Sequence, residues 1–203
     1  IAALPYDVMN TEEAREEIAR EPLSFLRIDR PETSFPKGHD MYAPEVYEKA
    51  KEIFEEMISS GDLREDNDSY YYIYELIMEG RSQTGIVAVC SSLDYRNSVI
   101  KKHENTLAAK EQDRIRHITA LSAQTGPIFL SYRRNDVIDG IVAEYKKKQP
   151  EYDFTADDGI VHRVWIIDDA KDTAAIRECF AKIDAIYIAD GHHRAASAAR
   201  GGQ

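Results

Sequence analysis

The 203-residue chain is 43% hydrophobic and 31% charged, an ordinary globular composition with enough length to bury a real core. Its 37 acidic against 26 basic residues leave a formal charge of -11, which disfavours non-specific binding to nucleic acid or to an anionic membrane. No apolar run has the length of a membrane span and no signal peptide is visible. The two cysteines, Cys90 and Cys179, lack a CxxC spacing and sit in apolar contexts, so buried thiols in a reducing cytoplasm are expected.

Strand and helix signals alternate along the chain. Asn10 with Glu13 three residues on forms a capping box for a charged helix running through Arg20, which Pro22 ends. Leu23–Ile28 reads as a strand, and residues 29–40, with Pro31, Pro36 and Gly38, as a loop. From Pro44 towards Gly61 the apolar residues Val46, Tyr47, Ala50, Ile53, Phe54, Met57 and Ile58 recur at helical spacing. Tyr70–Met78 and Gln83–Ser91 flank Glu79-Gly80-Arg81-Ser82 as a hairpin, and the tyrosines at 70, 71, 72 and 74 fit alternating strand packing. Beyond a polar segment at 100–106, helices are expected over 108–123, 137–148 and 173–183, and strands over 127–133, 159–167 and 185–189. Lys146-Lys147-Lys148 suits a helix C-terminal turn. No linker demands a boundary, so the pattern predicts one mixed α/β (α+β) domain over residues 1–203. The chain opens on Ile1 in what already reads as structured sequence and ends just after its most informative motif. It is therefore expected to be the N-terminal part of a longer protein.

That motif follows the apolar run Ala185–Ala189: Asp190-Gly191-His192-His193-Arg194, then an alanine-rich stretch. It reads as a strand, a glycine turn and the first turn of a helix. Helix starts carry unpaired N–H groups and the positive end of the peptide dipole, and so attract phosphate. An arginine adds a two-pronged phosphate grip. Asp190, at the strand end, stands where a metal ligand or hydroxyl-orienting carboxylate would sit. A plain solvated turn is the alternative. Zinc is disfavoured, since adjacent helical residues point about 100° apart and no HExxH is present.

A second constellation is Lys101-Lys102-His103-Glu104-Asn105-Thr106, followed by Lys110, Asp113 and Arg114, which share one face if a helix starts at Ala108. It offers cations for phosphate and, in Glu104, a carboxylate for proton abstraction or magnesium, or else a charged helix entry with local ion pairs. A third, Leu4-Pro5-Tyr6-Asp7-Val8, could place Tyr6 and Asp7 in a site or simply form a turn capping the next helix. No GxxxxGK[ST], GxGxxG or GxSxG loop occurs.

The ordered set Leu4–Val8, Lys102-His103-Glu104 with Lys110 and Asp113-Arg114, and Asp190–Arg194 resembles a widespread prokaryotic family of unknown function, often described as ParB-like, whose members are longer than this chain. The terminal box is also similar to the phosphate box of the ParB and sulfiredoxin superfamily, with its closest form in the free serine kinases. That resemblance implies a ParB/sulfiredoxin-like core. It also implies Asp190 orienting the acceptor or a magnesium ion, Gly191 letting backbone approach, and His193 and Arg194 holding the transferring phosphate. Sulfiredoxin needs a cysteine where His192 stands, which argues against sulfinic-acid reduction. ParB-type DNA partitioning needs a recognition-helix module and a basic surface, neither of which is visible here.

The expected function is phosphoryl transfer from ATP or ADP, with magnesium, to a small hydroxyl compound such as free serine. Glu104 would be the base, chosen on chemistry alone, and His192, Lys102 and His103 would add donors or positive field. The alternatives are a phosphate- or nucleotide-binding regulatory module without turnover and, least favoured by charge, a nucleic-acid adaptor.

Overall fold

A computed structural model describes residues 1–201 as a mixed α/β fold. In chain order the elements begin with α1 (Thr11–Arg20), α2 (Leu26–Asp29), α3 (Pro44–Ser59), β1 (Tyr71–Met78), β2 (Arg81–Val87), α4 (Ser92–Arg96) and β3 (Ile100–Lys101). They continue with α5 (Ala108–Leu121), β4 (Phe129–Ser131), α6 (Asp136–Tyr145), β5 (Tyr152–Thr155), β6 (Val161–Ile167), α7 (Ala170–Ala181), β7 (Ile186–Asp190) and α8 (His192–Gly201). Two compact units form. Residues 1–65, 102–130 and 188 onward make the first, and residues 66–101 and 131–187 the second. Because both are stitched from separated stretches, no linker in the sequence marks them.

The first unit is helical. Asn10 caps α1 by accepting from the N–H groups of Glu12 and Glu13, while Glu13 reaches back to the Asn10 N–H, the reciprocal box read from the sequence. Its core joins Ile28, Ala50, Ile53, Met57 and Leu121, contributed by α2, α3 and α5. Residues 23–28 are not the expected strand. The N–H groups of Ile28 and Asp29 bond the Phe25 carbonyl, and that of Arg30 bonds Leu26 at 2.7 Å, so one helical turn forms and buries Leu26 and Ile28. A short apolar run does not separate these outcomes.

The second unit carries an antiparallel sheet in the order β2-β1-β6-β5. Glu79 and Gly80, with φ of 51° and 78°, make the two-residue hairpin turn between β1 and β2. Ile73, Trp165 and Ile167 on one sheet face meet Tyr145 of α6 and Ile176 of α7, with Tyr71 packed alongside. Tyr72 and Tyr74 alternate onto the opposite face. Three elements are absent from the sequence reading: β5, α4 and the two-residue β3, all shorter than a periodicity can reveal. Helix α7 starts before Thr173 because Asp169 caps it, accepting from Lys171 and Asp172 N–H.

A second sheet has the order β3-β7-β4, with β3 parallel to β7. Of the run expected to be a buried strand, only Ile188 is fully enclosed, since this sheet is short and narrow. Cys90 is exposed and Cys179 half-buried, against the expectation for both; β2 ends at Val87, and the next residues leave the sheet. Among the described residues no helix is long and apolar enough to cross a membrane.

Candidate functional site

The candidate site lies wholly in the first unit, around the start of α8. Asp190 closes β7, Gly191 turns the chain with φ at 90°, and α8 begins at His192. A side chain at Gly191 would be strained in this conformation and would place a Cβ 3.3 Å from Arg194 Nε. Helix α8 packs on α5 through Ala195, Ala196 and Ala199, all buried, whose small size permits close approach. The fully buried Ser197 donates to the carbonyl oxygens of Glu111, at 3.1 Å, and His193, at 2.7 Å. These contacts fix where the first turn of α8 points.

Arg194 folds back over that turn. Its Nη2 donates to Asp190 Oδ2 at 2.7 Å and its Nη1 donates to the Pro127 carbonyl. Gly126 makes room for it, because a Cβ there would come within 2.9 Å of Arg194 Cδ. Two of the five guanidinium N–H groups are used by these bonds, which leaves three for a ligand. Asp190 thus orients Arg194, a role the sequence reading did not assign.

The two imidazoles differ. His192 is 6% exposed, and its ring meets that of His103 edge-on with centroids 4.4 Å apart. Its Nδ1 lies 3.5 Å from Glu104 Oε2. An imidazole facing a carboxylate carries a proton on Nδ1; Nε2 donates to a phosphate oxygen when it too is protonated, as the imidazolium. That Nε2, like the Nδ1 of His193, is out of water without a hydrogen-bond partner. An unsatisfied buried polar atom costs on the order of 1–3 kcal/mol, so two in adjacent residues at a helix start call for a cause. A bound ligand supplies one.

The segment carrying His103 and Glu104 is held there by a residue the sequence reading passed over. Glu111, 3% exposed, accepts from Thr106 Oγ1 and pairs with Arg200 of α8. A carboxylate on the same helical stripe as Ile115 and Ile118 was the available signal. The segment expected near the terminal box is therefore brought to it, and His103 and Glu104 touch it directly. Lys101 falls in β3 of the second unit, and Lys102 is an exposed residue of the first.

Tyr6, Asp7, Lys110, Asp113 and Arg114 come together at a different place, a cavity of about 230 Å³ in the same unit. Residues 6–8 form a 3₁₀ turn with no side-chain cap, held by Arg30 Nη1 donating to the carbonyls of Tyr6 and Met9. Asp113 accepts from Tyr47 Oη at 2.8 Å and pairs with Arg114 at 2.9 Å, while the Arg114 guanidinium lies over the Tyr6 ring, 4.4 Å from its centroid. Burial raises the Tyr6 phenol above its ordinary range, and the positive charges of Arg114 and Arg194 both oppose that rise.

Magnesium needs few protein ligands where phosphates complete its shell. Among the described residues no three His, Cys, Asp or Glu side chains converge as a metal cage. Asp190 keeps one carboxylate oxygen beyond its bond to Arg194 and is otherwise solvent-facing, so it fits a magnesium shared with a ligand better than a protein-only site.

Comparison with family models gives a match over residues 1–203, to a family described as protein of unknown function (DUF1015). No curated protein and no solved structure matches.

Proposed function

This chain belongs to the DUF1015 family, and we propose that it is a cytoplasmic, nucleotide-dependent phosphotransferase acting on a small hydroxyl compound such as free serine. The observation that carries this reading is the pair of buried, unpartnered imidazole nitrogens of His192 and His193 beside Arg194, with the Glu104 carboxylate facing His192. The N–H groups of the first α8 turn, the free donors of Arg194 and the two imidazoles would surround a transferring phosphoryl group. Phosphoryl transfer asks a protein mainly for such positioning and charge stabilisation. The similarity of Asp190–Arg194 to the box of free serine kinases, and through it to the ParB/sulfiredoxin superfamily, supports the same assignment.

In this reading Asp190 aims Arg194 and offers its remaining oxygen to magnesium, which when bound would neutralise charge between the phosphates. Glu104 accepts the proton of the attacking hydroxyl, while His192 adds a donor to the phosphate. A phosphate-binding regulatory module would share the cradle but has no use for a carboxylate held against a buried imidazole.

The test is a thermal-shift screen of the full-length protein against ATP and ADP with magnesium, with and without serine, followed by a turnover assay. Binding should raise the apparent stability by mass action. Glu104→Gln should spare nucleotide binding and lower turnover roughly a hundredfold, the usual contribution of a general base. Nucleotide binding with no turnover on any hydroxyl acceptor would leave the regulatory module instead.

A further inference from the structure

We infer that the cavity beneath Tyr6 is the nucleobase pocket of this protein, taking a neutral planar heterocycle whose phosphates reach the start of α8. The inference rests on the phosphoryl-transfer reading for its phosphate end and on the cavity itself for its base end.

The argument starts from charge. The inner ionisable side chains of the cavity are engaged within the protein, Arg30 with Glu32 at 2.7 Å, Arg114 with Asp113 at 2.9 Å and Asp29 with Thr125 Oγ1 at 2.8 Å, while Asp7 and Lys110 stand exposed at its edge. A ligand carrying its own charges would find these partners already engaged. A neutral ring with a hydrogen-bonding edge would not need them. His117 supplies such an edge. It is 1% exposed, and its Nε2 lies 2.8 Å from the Ile28 carbonyl, which can only accept, so the proton sits on Nε2 and Nδ1 is left as an acceptor. Burial, and then the Arg114 charge, hold this imidazole below its ordinary pKa and keep it neutral.

The walls fit a flat apolar surface. Met9, Pro31, Met41, Val46 and the Tyr47 ring line the cavity, and two flexible thioethers adapt well to a planar ligand. Of the lining residues, Asp7, Met41 and Lys110 remain exposed and so mark the mouth, while Val46, Tyr47 and His117 are buried and form the floor. A volume of about 230 Å³ holds one heterocycle and excludes a folded peptide segment. Helix α5 gives direction, since its Lys110, Asp113 and Arg114 line this cavity while the carbonyl of Glu111 in the same turn accepts from Ser197 of α8 at 3.1 Å.

The chain's four methionines make the test direct. In the full chain with ¹³C-methyl methionine, adenosine, guanosine, cytidine and uridine are titrated separately, alongside inorganic tripolyphosphate and ADP. At least one nucleoside should shift the Met9 and Met41 methyl signals and leave Met57 and Met78 in place, whereas tripolyphosphate should shift neither pair. The diphosphate of the preferred nucleoside should bind at least tenfold more tightly than that nucleoside, and Met41→Trp, a change at an exposed position, should weaken it tenfold or more without affecting tripolyphosphate. If no nucleoside moves Met9 and Met41 while tripolyphosphate binds, the pocket is refuted and the phosphate site stands. If nucleosides move them while tripolyphosphate fails to bind, the pocket stands and the phosphoryl-transfer reading is refuted.

Discussion

Each unit buries polar groups, and the contrast between Glu75 of the second unit and His192 of the first shows two uses of burial. Glu75, 4% exposed, accepts from Lys146 Nζ and from Ser82 Oγ, each at 2.5 Å, and Arg163 stands 3.7 Å away. Burial works against the Glu75 carboxylate, yet these donors outweigh it and hold its pKa below the ordinary value. His192 is as deeply buried, but its Nε2 has no partner and its Nδ1 only a carboxylate at 3.5 Å. The first arrangement is complete and serves the fold. The second is incomplete, and a ligand at the start of α8 would finish it.

The largest effect on stability should come from disturbing the complete arrangement. Lys146→Met removes the main counter-charge of Glu75 and should cost about 2–3 kcal/mol in chemical denaturation, the low end for a buried pair because Ser82 and Arg163 remain. Ligand binding at α8 should be unchanged by it. Next in size is Gly191→Ala, where a Cβ at φ of 90° should cost about 1–2 kcal/mol and push on Arg194. Unlike Lys146→Met, it should also weaken phosphate binding, read by calorimetric titration. The smallest change in stability is expected where the interior is already incomplete. His192→Phe removes an unsatisfied nitrogen and should leave the stability within about 1 kcal/mol of wild type or above it. The ligand-induced thermal shift should disappear. A loss of several kcal/mol in this variant would mean that His192 is a structural residue like Glu75.

A pH series sharpens the same contrast at His117. Its pKa is lowered in the folded protein, so below about 6.5 the unfolded chain binds a proton that the folded chain resists. Stability is therefore undiminished above that value and should fall as the pH drops beneath it, until the folded pKa is reached. His117→Gln should flatten this slope between pH 6.5 and 5, and an unchanged slope would assign the pH dependence to other groups.

What was legible in the sequence follows from how local each signal is. The Asn10–Glu13 capping box appears as read, and the hairpin turn falls within the expected residues 79–82 but narrows to Glu79-Gly80 because β2 already starts at Arg81; both signals depend on a few adjacent residues. The glycine between a strand and an Ala-rich helix located β7 and α8 for the same reason. Leu23–Ile28 did not announce its helical turn, because six apolar-rich residues satisfy either period. Long-range pairing was hidden altogether. That Asp190 orients Arg194 across one helical turn was open to reading from the i, i+4 spacing. That Pro127 completes the same grip, or that Glu111 ties the Glu104 segment to α8, depends on contacts between residues far apart in the chain. The constellations were therefore found as separate pieces, and the fold decided that His103 and Glu104 belong with the α8 start while Lys110, Asp113 and Arg114 line the cavity.

The central claim is that the unpartnered imidazole nitrogens at the start of α8 are reserved for a phosphate ligand. The most direct measurement is the ¹⁵N spectrum of the histidine side chains of the full chain, recorded while ADP and magnesium are added. The His192 Nε2 and His193 Nδ1 signals should both shift to hydrogen-bonded positions at saturation, and Arg194→Ala should displace that titration to at least tenfold higher ADP, about 1.4 kcal/mol or more for the lost charge-assisted contact. Saturable ADP binding that leaves both nitrogens unmoved would contradict the account.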